Sequence, residues 1–150
     1  MNTSVLNDSR QLVYSGLTER LIAEKLVAAS AAAEIGNQAR DQGITTVQML
    51  LDGEHVDSVT LARLVSEEYG VPLLDLQTVV DEQLPTDLVP QSLIRKHRAL
   101  PLFRRGNRLF VAVADPTNKP AIDEFKFATG IATDTVVVEY AQLNRRIDEV

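Results

Sequence analysis

The chain has 150 residues, enough for one full hydrophobic core or two small subdomains. Its formal net charge of −6 disfavours general nucleic-acid binding, because phosphate backbones require a surplus of Lys and Arg. The chain contains no cysteine, which excludes a disulfide scaffold and a Cys-based zinc site. No apolar run approaches the ~18 residues of a membrane span, and no signal peptide is visible at the N-terminus, so we expect a cytoplasmic protein.

The first half of the chain has the pattern of amphipathic helices. Thr18 is a predicted N-cap, with Leu17 before it and Ile22 four residues after it, in the spacing of a hydrophobic staple. The helix behind this cap is predicted to bury one stripe, which consists of Ile22, Leu26, Ala29 and Ala33.

A second helical unit follows at Gly43. A short helix is predicted over 47–51, and a longer helix begins at the cap Asp57, behind the staple residue Val56. Gly70 is placed to end this helix in the left-handed conformation. The spacing of Leu17, Thr18, Ile22 and Leu26 equals that of Val56, Asp57, Leu61 and Val65. The match indicates either a duplicated helical unit or the likeness that any two stapled helices share.

The second half changes to a mixed pattern of strands and helices. Residues 71–76 suit an edge strand, since Pro72 has no N–H to donate to a ladder, and residues 77–90 form an acidic connector. The predicted elements beyond it are a helix over 91–97, strands over 99–104 and 108–114, a helix over 120–129, a strand over 136–138 and a helix from residue 140. We therefore predict an α+β chain with a helical subdomain (1–70) and a small α/β subdomain (71–150).

Three pieces of the second half carry a family resemblance through their order and spacing. They are residues 71–75 (Val-Pro-Leu-Leu-Asp), residues 100–102 (Leu-Pro-Leu), and residues 111–116 (Val-Ala-Val-Ala-Asp-Pro) followed by a helix and Gly130. Over residues 12–150 the chain resembles the N-terminal domain of secretion and type IV pilus assembly ATPases of the PilB, MshE and GspE types, and most of all the PilB type.

The resemblance implies that this domain is a regulatory and docking module. The catalytic domain, with its ATP, its magnesium and its hexamer contacts, is expected downstream of this chain. A PilZ-domain adaptor is the implied partner, together with the inner-membrane machinery that drives pilus assembly and twitching motility.

The residues present do not build an enzyme site. A P-loop requires Gly-Lys followed by Ser or Thr, and none of the seven glycines precedes a lysine. His55 and His97 lack metal-ligand spacing, and the adjacent carboxylates at 67–68 and 123–124 point to different sides of a helix. We therefore predict no catalytic residue, no metal and no cofactor in this chain, which leaves a stand-alone hydrolase as the least supported function.

Direct binding of cyclic di-GMP is the alternative function. Some members of the resembled family bind this nucleotide through tandem motifs that open with Arg-Leu-Gly. Aligned on Gly16, the first triplet of this chain is residues 7–9 (Asn-Asp-Ser), and aligned on Gly53, the second is residues 44–46 (Ile-Thr-Thr). Both triplets lack the arginine that would hold guanine or phosphate and the glycine that lets backbone amides approach.

Apolar residues around Gly16 and Gly53 exceed the number that one narrow stripe needs. They form either a protein-binding patch or additional core. The residues predicted to bind the partner are Leu12, Val13, Tyr14, Leu17, Leu21, Met49 and Leu50.

A basic strip without any acidic residue lies between Asp87 and Asp115. Its members, a predicted secondary docking strip, are Arg95, Lys96, Arg98, Arg104, Arg105 and Arg108. Such a strip suits an acidic partner or a phosphate-bearing ligand. Alternatively, the arginines and the lysine of the strip protect a sheet edge, since charged side chains discourage strand-to-strand aggregation.

Overall fold

The N-terminal half of the molecule is a small helical bundle. The computed structural model describes residues 16–80, 82 and 84–150. The helices of this half are α1 (16–23), α2 (Ala29–Gln42), α3 (Thr46–Gly53) and α4 (Ser58–Tyr69). Their shared core is aliphatic and includes Leu17, Leu21, Ile35, Val47, Leu50, Leu61, Leu64 and Val65.

The first helix ends earlier than predicted. Thr18 lies inside α1 and not at its N-cap, and the chain turns at Lys25, whose φ is 61°. The Leu26 N–H reaches the Leu21 carbonyl at 2.9 Å, and the Lys25 N–H reaches the Ile22 carbonyl at 3.0 Å, a Schellman ending. The predicted stripe is therefore wrong, because Leu26 is exposed and residue 29 begins a new helix. No glycine or proline marks this break in the sequence.

Two helix–turn–helix units are present, but their register differs from the predicted one. Lys25 and Glu54, 29 residues apart, both adopt positive φ at the turn. Val27 and Val56 are both buried. Val27 directly precedes the N-cap residue of α2, and Val56 directly precedes the N-cap residue of α4. The prediction paired Leu17 with Val56, which is wrong because Leu17 is part of the first helix of its unit.

The end signals of α4 are confirmed. The Asp57 carboxylate accepts a hydrogen bond from the Thr60 N–H at 3.2 Å, and Gly70 ends the helix with φ 64°. The strand predicted at 71–76 is reduced to a single parallel bridge between Leu73 and Val137. Within its described residues, the connector makes 3-10 turns that include Leu76–Thr78 and Thr86–Leu88.

The C-terminal half has the predicted order of hairpin, helix, strand and helix. Its elements are α5 (Gln91–His97), β1 (Ala99–Arg105), β2 (Arg108–Val113), α6 (Lys119–Thr129), β3 (Ala132–Val137) and α7 (Tyr140–Asp148). β1 and β2 are antiparallel, whereas β2 and β3 are parallel because α6 carries the chain back along the sheet. The predicted α+β class and element order are confirmed.

The helix α6 packs on the sheet mainly through Phe125, which is 1% exposed. Ala121 is buried beside it, whereas Ile122, predicted to be buried, is only half-buried. On α7, the buried residues are Leu143 and Ile147. Arg146 donates to the carbonyl oxygens of Leu76 at 2.7 Å and Val79 at 3.0 Å, which holds the connector against α7.

The two halves have separate cores that touch. Val137 of β3 belongs to the helical core, and Leu51 of α3 packs against both cores. The Thr45 hydroxyl also donates to the Asp115 carboxylate at 2.5 Å, from the start of α3 to the loop after β2. The subdomain boundary at residue 70 stays a prediction. None of the helices in the described ranges is both long and apolar enough to cross a bilayer.

Candidate docking surfaces

The apolar patch predicted for a partner lies largely in the core. The described members are Leu17 (1% exposed), Leu21 (1%), Met49 (8%) and Leu50 (2%). An interface needs exposed side chains, so the patch prediction is wrong at these positions and the core reading applies. The physical reason is that these side chains belong to the core that the helices of this half share, so the additional apolar residues fill that core. The other members, Leu12, Val13 and Tyr14, lie outside the described residues.

The basic strip is divided by β1 into two groups. Arg95, Lys96 and Arg98 lie at the end of α5, before the strand, whereas Arg104, Arg105 and Arg108 surround the hairpin turn at its far end. A strand of this length separates its ends by ~20 Å, at ~3.3 Å per residue. The two groups therefore cannot form one continuous contact for a short acidic segment.

The α5 group is occupied by internal ion pairs. Lys96 and His97 both approach Glu124 of α6, at 3.6 Å and 3.1 Å, and Arg98 pairs with Asp148 of α7 at 3.1 Å. The His97 contact, with a smaller effect from Lys96, lowers the pKa of the Glu124 carboxyl. Arg95 donates to the Val150 carbonyl at 2.9 Å. This group joins α5 to its neighbours: Lys96 and Arg98 pair with acidic side chains, whereas Arg95 keeps its charge.

The hairpin group lies on an exposed basic and aromatic surface. Phe103 and Phe110 are cross-strand neighbours whose rings stack with centroids 4.7 Å apart. Arg105 lies over the Phe103 ring, 5.8 Å from its centroid, within range of a cation–π interaction. We call Phe103, Arg104, Arg105, Arg108 and Phe110 the hairpin surface.

The hairpin surface keeps most of its positive charge available. Arg108 pairs with Asp134 at 2.7 Å, the one acidic side chain in the described residues that pairs with these three arginines. Arg104 donates to the Gly106 carbonyl at 2.9 Å, which orders the side chain without neutralising it. Next to the surface, Val80 (51% exposed) and Phe103 (40% exposed) border a shallow cleft of about 430 Å³.

Residues 44–46, which align with the second nucleotide-binding triplet of the resembled family, have a structural role in this chain. The Thr45 side chain caps α3 by accepting from the Gln48 N–H at 2.9 Å, and it also donates to Asp115. Asp115 is 8% exposed and also accepts from the Thr117 N–H at 2.9 Å. Burial, and then the charge of Asp115, raise the pKa of Tyr69 nearby. Thr45 belongs to the triplet that aligns with the opening of a nucleotide motif in the resembled family. In this chain, Thr45 instead connects the two halves through its contact with Asp115.

The carboxylate pairs lie on helix surfaces, as their spacing predicts. Glu67 is exposed and pairs with Arg20 at 2.8 Å, while Glu124 faces α5. Across the described ranges, no three His, Cys, Asp or Glu side chains come close enough to hold a metal ion.

A second exposed region was not predicted. An acidic and apolar groove lies between α4, the 73–75 segment and the start of α7, with a volume of about 440 Å³. We call this region the edge groove, and its lining consists of Val59, Ala62, Leu73, Leu74, Asp75, Glu139 and Gln142. Sequence patterning could not find it, because its residues come from three separate segments.

The chain is similar to known proteins along most of its length. The MshEN domain family matches residues 69–150, more than half of the chain. The type IV pilus assembly ATPase PilB of Pseudomonas aeruginosa is 37% identical over 145 residues, which are 97% of this chain and 25% of that protein. PilB of Acinetobacter baylyi is 32% identical over 136 residues, 91% of this chain and 24% of that protein. The chain thus spans about a quarter of the length of these relatives.

Solved structures share the fold. The N-terminal domain of XpsE superposes with a TM-score of 0.72 at 19% identity, covering 91% of this chain and 94% of that domain. A structure of MshE with cdg superposes with a TM-score of 0.66 at 22% identity, covering 89% of this chain and 96% of that chain. With the family match and the PilB relatives, these likenesses show that the chain belongs to the MshEN family, the N-terminal domain of type IV pilus and secretion ATPases.

Proposed function

We propose that this chain is the regulatory and docking domain of a type IV pilus extension ATPase, which binds a protein regulator and transmits its state to the motor. The observation that carries the proposal is the hairpin surface. It presents an exposed Phe103 ring stacked on the half-buried Phe110, with exposed arginines beside them, on an otherwise acidic chain, as a site for an acidic protein does.

The candidate partner is a PilZ-domain adaptor, and the inner-membrane pilus machinery is a further candidate. In this proposal the domain lies in the cytoplasm at the inner-membrane face of the machine. ATP, magnesium and the hexamer contacts belong to the part of the protein beyond this chain, since the PilB relatives are about four times as long.

The docking proposal is tested by reversing charge on the hairpin surface. Arg104→Glu with Arg105→Glu should weaken adaptor binding by about tenfold or more and flatten its salt dependence, because exposed charges are screened beyond ~8 Å in physiological salt. Lys25→Glu with Arg40→Glu, which makes the same charge change on the helical half, is the matched control and should bind normally. Unchanged affinity in the hairpin variant would leave edge protection as the role of these arginines.

The motor is expected to lie outside this chain. The isolated chain should hydrolyse no ATP, because none of its glycines starts a phosphate-cradling Gly-Lys sequence. Turnover that follows the protein peak through further purification would contradict this expectation.

Direct binding of cyclic di-GMP is the second candidate, supported by the shared fold with MshE, which was solved with cdg. Against it stand the missing Arg-Leu-Gly triplets and the engagement of Thr45 with Asp115. Calorimetric titration with cyclic di-GMP separates the two functions. We expect no binding heat, and a saturable signal would favour the receptor function.

A further inference from the structure

The sheet has an edge beside β3 that the chain covers with only a short segment. Leu74 donates its N–H to the Val137 carbonyl at 2.9 Å, and Val137 donates to the Pro72 carbonyl at 2.7 Å. In this parallel pattern the N–H and carbonyl of Leu73 point away from β3. Neither group has a backbone partner among the described residues. A single extended residue thus continues the sheet and presents a free donor and acceptor outward.

The side chains around this free edge are apolar and exposed. Val59 of α4 is 59% exposed and Leu73 is 51% exposed, and both line the edge groove. Ala62, at 7% exposed, lies deeper between them. Exposed aliphatic side chains beside an unpaired strand edge are a combination that proteins normally avoid unless a partner covers them.

The border of the groove is acidic. Glu139 lies at the start of α7, and its side-chain carboxylate has no hydrogen-bond or ion-pair partner in the part of the chain that the structure describes. Asp75 accepts from the Gln77 N–H at 3.0 Å, which leaves its charge unneutralised. No Lys or Arg lines the groove.

We propose that the edge groove receives an extended segment of a partner protein, in which an apolar side chain lies next to Lys or Arg. The segment adds as a strand along Leu73, its apolar side chain packs between Val59 and Leu73, and its cation pairs with Glu139 and Asp75. This site is separate from the hairpin surface, because Leu73 bridges Val137 at the end of β3, whereas Arg108 is aligned with Ala132 at the start of that strand. The edge-groove proposal can therefore be tested independently of the adaptor proposal.

Site-directed photo-crosslinking in the full-length protein tests this inference. With p-benzoylphenylalanine in place of Val59, irradiation in the cells that make the protein should link position 59 to another protein. Mass spectrometry should then identify an extended segment with Lys or Arg within two residues of the linked apolar side chain. The same probe at Phe127, which is 93% exposed on α6, is the control and should not link to that segment.

Charge variants provide the second readout. Glu139→Lys should lower the crosslinking yield by about tenfold, because like charges would face each other, whereas Glu139→Gln should lower it less. Leu73→Lys and Leu73→Glu form a matched pair that removes the same apolar contact, and the Lys variant should bind more weakly than the Glu variant. Thermal melting of each variant confirms that the surface change leaves the fold intact.

Several outcomes would overturn the inference. They are no crosslink from position 59, a crosslink only to residues 1–15 or to a second copy of this chain, or a linked segment that is acidic. A yield that is equal in wild-type and Glu139→Lys protein, or equal in Leu73→Lys and Leu73→Glu, would also contradict it.

Discussion

At the scale of single residues, burial decides which apolar side chains are available for binding. Leu50 and Val59 are both apolar helix residues in the same helix–turn–helix unit, yet Leu50 is 2% exposed and Val59 is 59% exposed. Helical spacing places Val59 opposite the stripe of Leu61, Leu64 and Val65, whereas Leu50 lies in a stretch with more apolar residues than one stripe needs. Leu50 is a core residue because it lies in the cluster that residues of α1, α2 and α4 share with α3.

Substitution of these two residues tests that assignment. Leu50→Ala should lower the free energy of unfolding by about 2–5 kcal/mol, because it removes buried methyl groups and leaves a cavity. Val59→Ala should change it by less than about 0.5 kcal/mol, as for other surface positions. Urea unfolding followed by circular dichroism measures both, and a mild effect of Leu50→Ala would revive the interface prediction there.

The pairing of Glu124 with His97 and Lys96 predicts a pH dependence. The folded-state pKa of Glu124 is lowered, so its stabilising contribution is present above the ordinary carboxyl pKa and is lost as the pH falls through the lowered value. Glu124→Gln should therefore lower the melting temperature at about pH 6 and make little difference at about pH 2.5.

The control for this experiment is the neighbouring carboxylate on α6. Asp123 is exposed and has no ion-pair partner in the described ranges, so Asp123→Asn should give a small difference at either pH. A Glu124→Gln effect that persists unchanged in acid would show that the side chain acts through packing and not through its charge.

At the scale of elements, the predicted ends of α4 and α6 and the hairpin turn are confirmed, whereas the cap predicted at Thr18 is wrong. Asp57 begins α4, Gly70 and Gly130 end helices with φ of 64° and 68°, and Gly106 turns the hairpin with φ 60°. The turn at Lys25 was missed, because a non-glycine residue adopts the left-handed conformation there and the surrounding packing compensates the strain.

The cap of α4 gives a prediction at this scale. Asp57→Ala should destabilise the protein by about 1 kcal/mol, because the Thr60 N–H loses its acceptor. Asp57→Asn, which keeps a side-chain oxygen, should recover most of that loss. Chemical unfolding curves of the two variants provide the measurement, and equal losses in both would assign the effect to the charge of Asp57.

At the scale of the whole molecule, the two halves are joined through shared core and a buried polar contact. Val137 of the sheet lies in the helical core, Leu51 touches both cores, and Thr45 donates to Asp115. Such a connection makes it costly to unfold one half alone, because each half would expose apolar surface of the other.

We therefore expect one cooperative unfolding transition. Leu50→Ala in the helical core and Phe125→Ala in the α/β core should each shift the transition of both halves, the latter by about 3–5 kcal/mol. Amide resonances assigned to α2 and to β2 report the halves separately. Two transitions, each moved by only one of the substitutions, would contradict the expectation.

The sequence by itself determined the fold class, the order of the elements in the second half and the family. These follow from local signals: caps, turn glycines, apolar period and the spacing of three short segments along the chain. Such signals act within a few residues of one another, so they can be read without knowing what packs against them.

The tertiary structure alone decided which surfaces remain free. It buried Leu17, Leu21, Met49 and Leu50, divided the basic strip at the two ends of β1, and assembled the edge groove from three separate segments. The physical reason is that exposure and charge pairing depend on neighbours that are distant in sequence. A leucine belongs to the core or to the surface according to which element covers it. An arginine likewise forms an internal ion pair or keeps its charge available according to which side chains lie next to it.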